Sequence, residues 1–109
     1  MRLVVQASAE ADILGQVEWY AARGLSDVAR RFYVEAVGAI DALSAMPNAG
    51  VATHLRSAQL AGLRSWSVGG FDDFRVYYLV DAEKLVVLRV LHGKRDIGGI
   101  LEGEGLAVK

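Results

Sequence analysis

The chain of 109 residues has no cysteine and a single proline. Without cysteine there is no disulfide framework, no thiolate nucleophile and no cysteine-based metal site, and a reducing, cytoplasmic setting is the expectation. One proline and no low-complexity run argue against an internal linker. No internal repeat is visible. The first residues, Met1-Arg2-Leu3-Val4-Val5-Gln6, contain an apolar run far too short for a signal peptide or a membrane span, so no membrane association is expected. Charge of one sign is also lacking: the formal net charge is −1. A protein that wraps nucleic-acid phosphates is usually basic, so direct DNA binding by this chain alone is not expected, and contact with RNA would need a local basic patch.

What is present is a hydrophobic majority, 53% against 23% charged residues, which suits one globular domain over 1–109 with a modest core. The most organised stretch is Phe74 to Asp96. Two runs rich in Val, Tyr and Leu flank a polar break at Asp81-Ala82-Glu83, which predicts a β-hairpin. Both runs are apolar on both faces except at Arg75 and Arg89, as in central strands covered at least partly on each side. The second run ends in His92-Gly93-Lys94-Arg95-Asp96, a basic cluster around a glycine.

Upstream, Leu3-Val4-Val5 reads as a short edge or near-edge strand. Ser8 is a candidate N-cap for a first helix, with Glu10 and Asp12 in its early turns, where the helix dipole favours negative charge. Ile13, Val17 and Tyr20 recur at helical spacing with Leu14 and Ala21 beside them, and Gly24 closes the element. Ser26 is the expected cap of a second helix with a buried stripe of Ala29, Phe32, Ala36, Ala39, Ile40 and Leu43, which Pro47 ends. The join of about three residues predicts an antiparallel helical hairpin. Pro47 to Gly50 is a turn, and 51–61 has no clear period and reads as loop with one helical turn at most. Leu63 to Val68 is a strand with Arg64, Trp66 and Val68 on one face. Gly69-Gly70 and Asp72-Asp73 form a turn into the hairpin. A short helix is expected at Ile97 to Glu102, and a frayed tail from Gly103 to Lys109. Strand, two helices and then three strands predict an α+β domain, with the helical hairpin on one face of a mainly antiparallel sheet and the other face partly open.

Candidate chemistry is sparse. His54 and His92 do not lie at metal-ligand spacing, neither sits in a nucleophile elbow, and the glycine pairs lack the ending of a phosphate loop, so no cofactor or metal is expected. Arg64, Arg75, Arg89, Lys94 and Arg95 read first as solvated strand-end charges paired with Asp72, Asp73, Glu83 or Asp96. Arg75 and Arg89 fit that less well, because a charge inside an apolar strand must find a partner or an open surface. His92 continues the alternation of Val86, Leu88 and Val90, which allows a core-edge histidine or a general acid/base group. Trp19, Tyr20 and Tyr33 are helix-packing residues by default and partner anchors if exposed.

The motif Arg-Val-Tyr-Tyr from Arg75, the polar turn, the apolar strand and then His92-Gly93-Lys94-Arg95-Asp96 resemble the C-terminal half of the RelE/ParE superfamily of bacterial toxins, and the order of upstream elements agrees from Ser8 to Leu101. The resemblance implies a toxin of a type II toxin–antitoxin system, neutralised by a cognate antitoxin. RelE-like members are ribosome-dependent endoribonucleases; ParE-like members keep the fold and poison DNA gyrase. Carried onto this chain, Arg75 matches the strand arginine, Gly93-Lys94-Arg95 the basic turn, and Arg64 a basic position of the preceding strand. Trp66 and Val68 stand where RelE-like enzymes favour a lysine, and Leu101 near where they often place a tyrosine. The expectation is a ParE-like, non-enzymatic gyrase-binding toxin. Its expected target surface is Arg64, Arg75, His92, Lys94 and Arg95, and its expected antitoxin contacts are Trp19, Tyr20 and Tyr33. The alternatives are a RelE-like nuclease using His92, Arg75 and Arg95, or an inactive member.

Overall fold

The hairpin forms as β4 (Phe71–Val80) and β5 (Lys84–His92), paired antiparallel. This is a computed structural model, and it describes residues 1–55 and 58–103. At the polar break the Asp81 carboxylate accepts the backbone N–H groups of Glu83 (2.8 Å) and Lys84 (2.9 Å). These two hydrogen bonds hold its carboxyl below the ordinary value. β4 starts earlier than expected: Asp72 and Asp73 lie in the strand, and the turn is confined to Gly69-Gly70.

Around the hairpin the sheet runs β1-β5-β4-β3-β2. β1 (Arg2–Val5) is an edge strand parallel to β5, and β3 (Arg64–Val68) pairs antiparallel with β4. The stretch read as loop also holds a two-residue strand, β2 (Val51–Ala52), and a 3₁₀ turn at Ala58–Leu60. The expected tail lies, from residue 104 onward, outside the described residues, as do residues 56 and 57 of the expected loop.

Helices α1 (Ala7–Ala22) and α2 (Ser26–Ala45) pack side by side on one sheet face. Gly24, at φ +74°, makes the left-handed turn between them, a conformation that costs a residue with a Cβ more than glycine. Ala9, Ile13, Phe32, Ala36, Ile40 and Leu43 meet Val76, Tyr78, Leu85, Val87 and Val90 in the main core. Phe32 is its aromatic hub, with ring centroids 5.1 Å from both Phe71 and Phe74. The stripe on α1 is narrower than its sequence suggested, since Leu14 and Ala21 face solvent.

Both expected serine caps are corrected. α1 begins at Ala7, because the Gln6 carbonyl already accepts the N–H groups of Ala9 and Glu10. Ser8 lies inside the first turn and donates its hydroxyl to the Leu88 carbonyl at 3.1 Å, fastening helix to sheet. Ser26 is the first helical residue, preceded by Leu25 as N-cap, and makes no capping bond.

The other sheet face, expected partly open, carries a second core. Leu60, Leu63, Tyr77, Val86, Leu88, Leu91 and Leu101 pack there under the 3₁₀ turn and a C-terminal helix, α3 (Ile97–Gly103). α3 tolerates Gly98 and Gly99 because Asp96 accepts the Gly99 N–H at 3.0 Å and Leu101 is fully buried. Burial of a leucine outweighs the propensity cost of a glycine, about 1 kcal/mol.

Tyr78 and Arg64, opposite one another on β4 and β3, staple the Pro47–Gly50 turn. The buried Tyr78 hydroxyl donates to the Pro47 carbonyl (2.8 Å) and accepts the Gly50 N–H (2.9 Å). Arg64 donates to the Gly50 carbonyl at 2.7 Å and to that of Asn48 at 3.3 Å. Burial raises the Tyr78 hydroxyl above its ordinary value, against the smaller opposing effects of the Gly50 hydrogen bond and the Arg64 charge. The folded value therefore exceeds the unfolded one, about 10. The stability from this group is present below about pH 10 and lost as pH rises through the folded value. In denaturant titrations Tyr78→Phe should cost roughly 1–3 kcal/mol at neutral pH, by stranding two backbone groups. Its stability should also fall less steeply than that of the natural chain as pH rises above about 10.

The register of β5 slips once. Tyr77 pairs with Arg89 and Tyr78 with Val87, which leaves Leu88 as the extra residue of a β-bulge. Asp12 holds this bulge. Its carboxylate accepts Nε of Arg89 (2.7 Å), Nη2 of Arg89 (2.7 Å) and the Val90 N–H (3.0 Å). The side chains of Arg89 and Asp12 are only 18% and 12% exposed. Asp12→Ala should therefore destabilise by roughly 2–3 kcal/mol, since it leaves a half-desolvated guanidinium without this acceptor. Glu10→Ala, on the exposed side of the same turn, should stay within about 0.5 kcal/mol. Thermal and urea unfolding of the two variants would measure the contrast.

Candidate target- and partner-binding surface

The bulge decides where β5 delivers its end. Plain alternation would align His92 with Val86 and Leu88. Instead Val86 and Leu88 belong to the far-face core, while Val90 and His92 face the helices. The imidazole packs nearly perpendicular to Phe74, with centroids 5.4 Å apart.

Beyond His92 the chain turns tightly. Gly93 donates its N–H to the Asp73 carbonyl at 2.6 Å, and Arg95 donates to the His92 carbonyl at 3.0 Å. A Cβ on Gly93 would sit 3.4 Å from the Asp73 carbonyl oxygen and 3.5 Å from Cδ of Arg75, so glycine allows this close approach. The Lys94 N–H points at Nδ1 of His92, at 3.2 Å. Nε2 lies 3.8 Å from an Asp73 carboxylate oxygen. Lys94 and Arg95 are exposed at the tip, and among the described residues neither makes an ion pair within 4 Å.

Of the other two arginines of the expected target surface, one lies beside the Gly93 turn on the opposite face and one lies elsewhere. Arg75 is on the far face, where Nε donates to the Ser65 hydroxyl (2.8 Å) and Nη2 to the Ser65 carbonyl (3.3 Å). Arg64 is on the helix face, committed to the Pro47–Gly50 turn. Among the described residues no ion pair within 4 Å joins Arg64 or Arg75 to the expected Asp72, Asp73, Glu83 or Asp96; Arg64 donates to backbone carbonyls and Arg75 to Ser65, while Arg89 pairs with Asp12. His54 is exposed beside β2, on a shallow groove with Asp96 and Glu102. No group of three or more His, Cys, Asp or Glu side chains among the described residues could hold a metal ion.

The expected partner anchors divide between two grooves on either side of α1. Trp19, 46% exposed, and Tyr20 line a groove of about 640 Å³ whose opposite wall is Phe74, His92 and Arg95. The two aromatic rings meet edge to face, 5.3 Å apart, and the Arg23 guanidinium covers the indole at 3.8 Å. Tyr33 lines the other groove, about 370 Å³, together with Leu14, Val37, Glu10 and Asp41. Sequence reasoning missed Asp12 and Phe74 as parts of the site. The signal for Asp12 was indirect: Arg89 inside an apolar strand required a partner.

An imidazole that accepts a hydrogen bond at Nδ1 carries its neutral-form proton on Nε2. Nitrogen NMR of the natural chain should show the Nε2–H tautomer of His92 at mildly alkaline pH. Lys94→Pro, which removes the donating N–H, should weaken that preference.

No described helix is long and apolar enough to cross a membrane. No curated protein sequence matches the chain. Among solved structures the chain is similar to one from a chromosomal ParDE toxin–antitoxin system of P. aeruginosa, with a TM-score of 0.68 at 20% identity, over 84% of this chain and 95% of that one. At that identity the likeness shows the fold: an N-terminal strand, a helical hairpin and a mainly antiparallel sheet. Residues 3–97 match the family described as ParE toxin of type II toxin-antitoxin system, parDE. A match over that much of its length places the chain in the ParE toxin family of type II toxin–antitoxin systems.

Proposed function

We propose that the chain is a non-enzymatic toxin that binds DNA gyrase through the basic turn of β5 and is neutralised by a cognate antitoxin. The observation that supports this is an exposed basic turn beside an incomplete ribonuclease set. Cleaving RNA through its own 2′-hydroxyl takes a base, an acid and cations around one phosphate. Here His92 and Arg95 line one groove, but Arg75 is bonded to Ser65 on the far face, and Leu101, near where the ribonucleases often place a tyrosine, is fully buried. Lys94 and Arg95, by contrast, stand exposed in the turn that follows β5, as a docking surface requires. A binding toxin needs only a surface that holds one state of its target.

The test is a gyrase supercoiling reaction run beside a translation reaction in which cuts in the message are mapped by primer extension. The expected result is inhibited supercoiling and intact message. Arg95→Ala should relieve growth inhibition while changing stability by no more than about 0.5 kcal/mol. Codon-positioned cuts that vanish in His92→Ala, with supercoiling untouched, would assign the chain to the ribonuclease branch instead.

A further inference from the structure

The groove between α1 and the end of β5 joins two sets of residues that sequence reasoning had given to different partners. Trp19 and Tyr20 form one wall, and His92 and Arg95 stand on the other. The groove is also asymmetric in charge. Among the described residues Asp12 is the one carboxylate that lines it, already satisfied by Arg89 and the Val90 N–H, and the Asp73 carboxylate stands beside the His92 wall, 3.8 Å from Nε2. Arg95 at the mouth has no ion pair among the described residues, and Arg23 adds a second cation over the Trp19 ring. A wall of aromatic rings with cations at its rim matches an apolar side chain followed closely by an aspartate or glutamate. The groove across α1 has the opposite character, because Glu10 and Asp41 are among its lining residues.

We infer that the segment of the antitoxin that neutralises this chain docks between Trp19 and His92, carrying an acidic residue to Arg95. Neutralisation is then direct: the segment covers the same His92 and Arg95 that the target needs, so antitoxin and target exclude each other. This rests on the toxin–antitoxin reading above and adds the location and chemistry of the contact. A segment of this kind gains affinity from burying the exposed indole and from a charge pair partly shielded from water.

The experiment uses the full chain and the purified product of the adjacent reading frame. Binding is measured calorimetrically for the natural chain, Trp19→Ala, Arg95→Glu and Leu14→Ala, with melting curves confirming that each variant is folded. Trp19→Ala and Arg95→Glu should each weaken binding at least tenfold. Leu14→Ala, in the opposite groove, should stay within twofold. Reversing one acidic residue of the antitoxin should restore binding to Arg95→Glu, and the His92 ring resonances should shift on complex formation. Tight binding lost only in Leu14→Ala would overturn the proposal and leave the toxin–antitoxin reading standing. Self-association of the chain that depends on Trp19, with no effect of the antitoxin on His92, would make a second copy the occupant and also overturn it. If the natural chain does not bind the product at all, the proposed neutralisation by that product falls together with this inference.

Discussion

One carboxylate connects the two halves of the fold. Asp12, one turn into α1, accepts both nitrogens of an arginine fork and a backbone amide from β5. A bidentate arginine–carboxylate pair of low exposure fixes direction as well as distance. It lies where β5 carries an extra residue, and the bulge sets which face the last residues of the strand present. His92, the tight turn at Gly93 and the exposed Lys94 and Arg95 all follow from that geometry. The packing of Phe74 against both Phe32 and His92 extends the same connection into the main core.

The sheet is covered on both faces by unequal means. The helical hairpin supplies a broad apolar layer on one side, while a 3₁₀ turn and the short α3 close the other. This explains why β4 and β5 are nearly continuous runs of Val, Leu and Tyr with little polar alternation. It also explains the fate of the two arginines inside those runs. Arg75 donates to the buried Ser65 on the far face, and Arg89 meets Asp12 of the helix that crosses its strand. Both found their partners in three dimensions and not along the chain.

The weak overall charge is compatible with a charged surface of local extent. Cations gather around Trp19 and the β5 turn, whereas Glu10 and Asp41 lie on the other side of α1. Surface charges separated by more than a Debye length act almost independently at physiological salt. A chain with a net charge of only −1 can therefore still carry a locally positive surface.

Much of the architecture was legible from residue order. Helical spacing in 13–20 and 29–43, the breaks at Gly24 and Pro47, and the paired apolar runs around Asp81 are local signals, set by side-chain sterics and period. Family membership was legible too, because it rests on the order of those same elements. The helix starts were misread at Ser8 and Ser26, since a serine's hydroxyl serves whichever backbone group tertiary packing brings near, here the Leu88 carbonyl for Ser8. The site was less legible still. Strand alternation assumes an unbroken register, and a single bulged residue moved His92 to the opposite face from Val86 and Leu88. Sequence alone thus determined the two helices, the three main C-terminal strands and their order, which depend on contacts within a few residues, and missed only the two-residue β2 among the strands. The tertiary structure decided that Trp19, Tyr20, His92 and Arg95 share one groove while Tyr33, Arg64 and Arg75 lie apart from it, because that grouping depends on a register shift and on an ion pair between residues 77 positions apart.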